Sequence, residues 1–170
     1  WEWGSYFDPK IKENGIALNI SKWKKPAPDT IPWDTKAAGL YMINTLSKHE
    51  AEKDGFNDSM MLDSDGYVAE ATGANVFFID ENKKEIHTPI PDCFLDGITR
   101  RTIMEIAKDK GFNIIERKMN LDELNNFDAC FLTGTAAEVT PVSQIGDYKF
   151  KVTPTIGELF DKYLEIVNRT

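Results

Sequence analysis

The stretch DSMMLDSDGYVAEATGANVFFID, residues 58–80, constrains the fold more than any other part of the chain. It reads as strands around the Asp65-Gly66 turn, with a glycine-containing loop at 71–74 before the last apolar run. That commits the middle of the chain to a sheet. Alternation in GIALNISKW (15–23) predicts an earlier strand, and the Pro-rich KKPAPDTIPW after it cannot continue a ladder, so a loop follows. From Lys36 to Asp54 the spacing of Leu40, Met42, Ile43, Leu46 and Ala51 predicts a helix that stops at Gly55. KEIHTP adds a short strand, and LDGITRRTIMEIAKDKG (95–111) predicts a helix with Ile98, Ile103, Ile106 and Ala107 facing inward, closed at Gly111. FNIIERKM reads as a strand, LDELNNF as a short helix, DACFLTGTAAEVTPVSQI as a buried strand, a turn and a second extended piece, and TIGELFDKYLEIV as an amphipathic helix. The expected class is a mixed α/β or α+β domain with several strands and about four helices. At 170 residues the chain suits a single domain, 1–170, with room for an apolar core.

Charge and cysteine usage exclude several classes of partner. With 28 acidic against 20 basic side chains and a net charge of −8, the surface repels phosphate backbones and anionic membranes, so no nucleic acid or membrane partner is expected. Cys93 and Cys130 are far apart and belong to no CxxC or Cys/His cluster, so neither a disulfide framework nor a zinc site is indicated, and a reduced cytoplasm fits. There is no run of 18 apolar residues. His49 and His87 show no catalytic partner and read as structural or solvated.

Four short stretches carry most of the chemical signal: Lys36 with Tyr41 in DTKAAGLY, Glu70 after DGYVA, Gly97-Ile98-Thr99, and TGTAA at 133–137. Each has a bland reading too. A lone lysine is more often solvated than catalytic, a glutamate after a hairpin strand is usually a surface carboxylate, threonine caps helices without any ligand, and TGTAA can be only a turn. What raises the functional reading is that the four are compatible as one site. A cation is disfavoured at a helix N-terminus. At such a start, in apolar surroundings, dipole and desolvation together make the neutral amine of Lys36 available as a nucleophile toward an aldehyde. Pyridoxal 5'-phosphate requires such an amine, and it requires a carboxylate beside its pyridine nitrogen, for which Glu70 is the candidate. Its phosphate requires N–H groups at a helix N-terminus and hydroxyl donors, which Gly97, Ile98, Thr99 and Thr135 could offer. Tyr41 could hydrogen-bond the ring's phenolate oxygen.

The order KAAGLY, GYVAEATGANVFF, LDGITR and FLTGTAAEVTPV closely resembles the branched-chain amino acid aminotransferases, class IV enzymes of fold-type IV. The resemblance runs from Trp1 to about residue 150. It implies that Lys36 is the Schiff-base lysine and proton shuttle, that Glu70 pairs with the pyridine nitrogen, that Tyr41 contacts the ring oxygen and that Leu95 packs on the ring. It further implies that Ile98, Thr99 and Thr135 hold the phosphate, while the turn Thr135-Ala136-Ala137 presents N–H groups to the substrate's α-carboxylate. The implied fold is the family's large C-terminal domain, a strand-rich pseudo-barrel flanked by helices. The implied reaction is reversible amino transfer from leucine, isoleucine or valine to 2-oxoglutarate.

The opening WEWGSYF resembles the segment that follows the family's small N-terminal domain. That domain, with an arginine clamping the cofactor phosphate, is therefore expected to lie outside these residues, and the chain by itself is expected to bind the cofactor weakly. Family members are homodimers or larger. Two other readings stand beside this one: a D-amino acid aminotransferase or aminodeoxychorismate lyase of the same fold, and a non-catalytic oligomerising domain. KAAGLY and GTAAE favour the branched-chain group.

Overall fold

A computed structural model describes residues 13–168, so the aromatic opening WEWGSYF lies outside the described part. The strands are β1 (Ile16–Lys24), β2 (Asp58–Leu62), β3 (Val68–Ala71), β4 (Asn75–Asp80), β5 (Glu85–Thr88), β6 (Asn113–Glu116), β7 (Ala129–Gly134), β8 (Glu138–Ile145) and β9 (Tyr148–Lys149). The helices are α1 (Met42–Lys53), α2 (Ile98–Asp109) and α3 (Pro154–Val167), with 3-10 turns at Ala38–Tyr41 and Leu121–Asn126. LDELNNF is thus a 3-10 turn, and β9 is a strand that the sequence did not announce.

Among the described residues the strands form one sheet in the order β3-β2-β1-β8-β7-β4-β5-β6, with β9 on β8. β1 runs parallel to β2 and β8, and β5 parallel to β6; the other pairs are antiparallel. The backbone N–H of Ala71 donates to the carbonyl of Ala74 at 2.9 Å, which brings the end of the edge strand β3 beside β4. The first six strands of the order therefore curl, and the helices lie against the result, as the resemblance implied.

Strand β4 shows why its sequence is continuously apolar rather than alternating. All six of its residues are buried. Val76 and Phe78 face the interior of the curl with Leu18, Met60 and Leu132, whereas Phe77 and Ile79 face a second core with Ile103 and Ile106 of α2 and Leu159 of α3. A strand covered on both faces has no polar side to show. Phe77 stacks on Phe131 of β7 with ring centroids 5.0 Å apart, which ties the two central strands together on the helix side.

Two helix readings need correction. The chain is not helical from Lys36: residues 36 and 37 are irregular, the 3-10 turn follows, and α1 begins only at Met42. The inward face of α1 is also not the expected apolar one. Asn44, Ser47 and Ala51 are buried, while Met42 and Leu46 are 65% and 47% exposed. The reason is polar: Ser47 Oγ bonds Ser21 Oγ at 2.7 Å, and Asn44 Nδ2 donates to the carbonyl of Thr72 at 2.7 Å, so this helix docks on the sheet through hydrogen bonds. In α2, Ile103, Ile106 and Ala107 are buried as expected, but Ile98 is 76% exposed because it occupies the first turn, at the rim. Gly111, at φ +84°, closes that helix in the left-handed region where a Cβ is strained.

Asp58 opens β2 from a fully enclosed position. Its Oδ1 accepts from the Ser59 N–H at 2.8 Å and from Thr72 Oγ1, and its Oδ2 has no hydrogen-bond partner. Burial, the largest influence, pushes its carboxyl above the usual carboxylate range. A carboxyl whose proton is held more tightly in the folded state contributes most at low pH, and that contribution is lost as pH rises from roughly 4 through the raised folded value. Asp58→Asn is therefore expected to gain stability over the unmutated chain as pH is raised from 3 to 7. Urea midpoints at the two ends test this, and a constant difference between the two proteins would refute it.

Candidate active site

A cleft of about 270 Å³ opens where the curl, the 3-10 turn before α1 and the N-terminus of α2 meet. Its volume lies near the lower bound of ligand clefts, roughly 300 Å³, and suits a small planar molecule. Lys36 and Tyr41 line it from the segment before α1, Glu70 from β3, and Leu95 from the loop before α2. Gly97, Ile98 and Thr99 line the opposite wall, and Thr135 lies at the end of β7. Of the residues expected from the sequence, only Ala136 and Ala137 are not part of this lining; Ala136 is exposed in the turn and Ala137 is buried in the interior core.

Glu70 is not a surface carboxylate. It is 8% exposed, and its Oε1 lies 2.7 Å from the ammonium of Lys25, itself 7% exposed. Its Oε2 accepts from Asn75 Nδ2 at 3.2 Å, and the same amide donates to the carbonyl of Leu95 at 2.9 Å. Burial raises its proton affinity first of all; Lys25 opposes this, and the net direction is upward. Tyr41 is half-buried, and burial, followed by the charge of Glu70, raises its phenol above the usual range.

Lys36 reaches the cleft, but not in the expected way. It is exposed and stands in an irregular segment, so among the described residues it neither opens a helix nor sits in an apolar pocket. The loop geometry explains the placement: the N–H of Ala37 bonds the carbonyl of Thr35 at 2.9 Å, and that of Leu40 bonds Ala37 at 3.0 Å, which turns the chain sharply at the lysine.

The wall formed by α2 is built to receive an anion. Gly97 is its N-cap, without any side-chain hydrogen bond, so the first N–H groups of the helix remain free for a ligand. A Cβ at Gly97 would lie 2.5 Å from Asn75 Oδ1; glycine is required here by the close approach of that amide. Thr133 is fully buried, lines the cleft, and its Oγ1 has no partner. The carboxylate of Asp96, which also lines the cleft beside the helix start, is paired with Arg100, whose Nη1 donates to its Oδ1 at 2.7 Å.

Lys25, Asn75 and Thr133 are the site residues that sequence reasoning missed. Asn75 sits inside the quoted GANVFF, and Thr133 opens TGTAA, so both lay within recognised motifs. Lys25 gave no signal, since a lysine in a Pro-rich loop carries no periodicity. His49 is exposed, and His87 is structural: its Nδ1 accepts from Arg117 Nε at 3.0 Å, its ring packs on Phe127, and burial holds it below the usual imidazole range. Burial also pushes the Cys93 thiol up to about 12, which removes it as a nucleophile at neutral pH. Among the described residues no His/Cys/Asp/Glu group could hold a metal, and no helix is long and apolar enough to cross a membrane.

The chain resembles known aminotransferases. It is 43% identical over 154 residues to a probable branched-chain-amino-acid aminotransferase of Rickettsia felis, covering 91% of this chain and 52% of that protein. A branched-chain amino acid aminotransferase of Thermoproteus uzoniensis, a thermophilic archaeon, was solved with norvaline; it superposes with a TM-score of 0.89 at 30% identity, over 98% of this chain and 55% of that one. An aminotransferase of Brucella abortus bound to pyridoxal 5'-phosphate gives a TM-score of 0.85 at 27% identity, over 97% and 57%. The chain spans about half the length of the curated relatives it matches. The sequence model of the amino-transferase class IV family matches residues 2–145, a stretch that runs through every element lining the cleft, and the chain therefore belongs to that family.

Proposed function

We propose that the protein is a pyridoxal 5'-phosphate-dependent transaminase exchanging amino groups between branched-chain L-amino acids and 2-oxoglutarate, acting as a homo-oligomer in the cytoplasm. The observation that carries this reading is the convergence on one cleft of an amine, a buried carboxylate and an uncapped helix N-terminus. The names of the relatives and the pyridoxal 5'-phosphate of a structural neighbour support it. The residues present fit such a cofactor: the unpartnered Thr133 hydroxyl and the free N–H groups of α2 are donors in want of an acceptor.

When bound, the cofactor supplies an aldehyde for the substrate amine and an aromatic ring that accepts electrons from the substrate's Cα. The chain's own residues then divide the work. Lys36 supplies the amine and carries a proton to and from the substrate carbon. Glu70, held between Lys25 and Asn75, places negative charge where a protonated ring nitrogen would lie. Tyr41 would offer its hydroxyl to the cofactor and Leu95 would give it an apolar wall. Gly97, Ile98 and Thr99 would hold the phosphate through backbone N–H groups and the threonine hydroxyl, with Thr135 beside them. The turn Thr135-Ala136-Ala137 meets the cleft only through Thr135, and its backbone N–H groups would receive the substrate carboxylate at that edge. As residues 1–170 these groups form a single cofactor-binding domain, the large C-terminal one of the fold type.

Addition of pyridoxal 5'-phosphate is expected to give an absorbance band of a lysine adduct, and borohydride followed by peptide mapping is expected to place the pyridoxyl label on Lys36. A label scattered over surface lysines would sink the assignment. Amino transfer from leucine to 2-oxoglutarate, assayed at the length its curated relatives have, tests the reaction itself.

A further inference from the structure

Glu70 stands as a partition. On one side it lines the cleft with Lys36 and Gly97; on the other it lines a smaller hollow with Lys25, Asn44 and Cys93. Lys25 touches the carboxylate from the hollow, where it does not line the cleft. Its placement is fixed twice over. Its backbone N–H donates to the carbonyl of Leu62 at 2.7 Å, pinning the Pro-rich loop to the end of β2. Its Nζ donates to Asn44 Oδ1 at 3.3 Å, and Asn44 is in turn anchored on the Thr72 carbonyl at 2.7 Å. A lysine buried against one carboxylate is poor evidence for stability, because the desolvation of two ions offsets their attraction and an apolar pair of the same volume does as well or better. The pair therefore calls for a role in the cleft.

We propose that Lys25 is a positioning residue for the cleft: its ammonium fixes Oε1 of Glu70, keeps the group a carboxylate despite its burial, and turns Oε2 toward a cationic ring nitrogen. This rests on the transaminase reading for the identity of that cation. The physical reason is distance. At 2.7 Å from Oε1 the ammonium stabilises negative charge on Glu70, and the carboxylate so held is what favours a proton on a base facing it. Asn75 holds the other oxygen at 3.2 Å. Of the other titratable groups around Glu70, Asp58 of β2 opposes its ionisation, Tyr41 is a neutral phenol and Cys93 a neutral thiol, while Lys36, Asp34 and Asp96 line the same cleft and Lys25 is the one cation paired with the carboxylate among the described residues.

The test begins with the protein without cofactor. Isotope-edited infrared difference spectra against Glu70→Gln, at pH 7, read whether Glu70 is protonated. A carboxylate band is expected in the unmutated protein and in Lys25→Arg, and a protonated carboxyl band in Lys25→Met. A carboxylate band in Lys25→Met overturns the proposal. So does a protonated band in the unmutated protein, a comparison that needs no lysine variant to fold. In a second arm, pyridoxal 5'-phosphate is expected to bind Lys25→Met about tenfold more weakly than the unmutated protein, about 1.4 kcal/mol, with the affinity restored in Lys25→Arg. Equal affinities of Lys25→Met and the unmutated protein overturn the proposal. If the unmutated protein, at the length its curated relatives have, binds no pyridoxal 5'-phosphate, the transaminase reading fails, and the infrared arm still decides the role of Lys25.

Discussion

Replacing Lys36 with alanine is expected to abolish amino transfer while leaving the fold untouched. The side chain is exposed in an irregular segment, and surface substitutions of that kind shift stability by no more than about 0.5 kcal/mol. In the proposed transaminase the same side chain would supply the nucleophile and the proton carrier, and a positioned proton-transfer group is worth roughly 10²–10⁴-fold in rate. Turnover of leucine, assayed at the length its curated relatives have, should therefore fall by about four orders of magnitude, with an unchanged urea midpoint. A small amine added to the medium should restore part of the activity, because it replaces the missing proton carrier. Lys53→Ala, an exposed lysine at the end of α1, is the control and should turn over normally. If Lys36→Ala retains activity within tenfold, the amine is not the one the cleft uses.

Glu70→Gln is expected to fail twice over, and the two failures can be separated. In the proposed transaminase it would remove the negative charge that Glu70 offers the ring nitrogen, and loss of one preorganised electrostatic partner slows catalysis by roughly 10²–10³-fold. In the fold it leaves the ammonium of Lys25 buried without its counter-ion, which costs about 3–5 kcal/mol. The second loss was invisible in the sequence, from which the substitution reads as harmless to folding; the burial of both partners reverses that expectation. The double variant Lys25→Met/Glu70→Gln should recover most of the stability and none of the rate, since the orphaned charge is gone and the missing one is not replaced. Urea unfolding and leucine turnover of the three proteins decide it. A double variant as unstable as Glu70→Gln would mean that the pair is not the source of the loss.

Much of this architecture is legible along the chain because its causes are local. Alternation marks β1, the Asp65-Gly66 turn marks the corner between β2 and β3, and Gly111 ends α2 where only a residue tolerant of positive φ fits. The motifs around Lys36, Glu70, Gly97 and Thr135 are readable for a related reason, since each needs particular residue types in consecutive positions, and those four stretches do line one cleft. The docking face of α1 was not legible. Met42 and Leu46 satisfy an apolar period yet point outward, because Ser21 and Thr72, distant in sequence, offer hydrogen bonds to the polar face instead.

What the sequence determined by itself is the succession of strands and helices and the short segments that carry chemistry, both set by contacts between near neighbours. Tertiary structure alone decided the state of those segments. It exposed Lys36 by unwinding the turn before α1, and it buried Glu70 by bringing the Pro-rich loop and its Lys25 behind β3. Burial and charge pairing depend on which distant residues fill the remaining space, and neither periodicity nor motif spacing encodes the identity of a neighbour 45 positions away, as Lys25 is from Glu70.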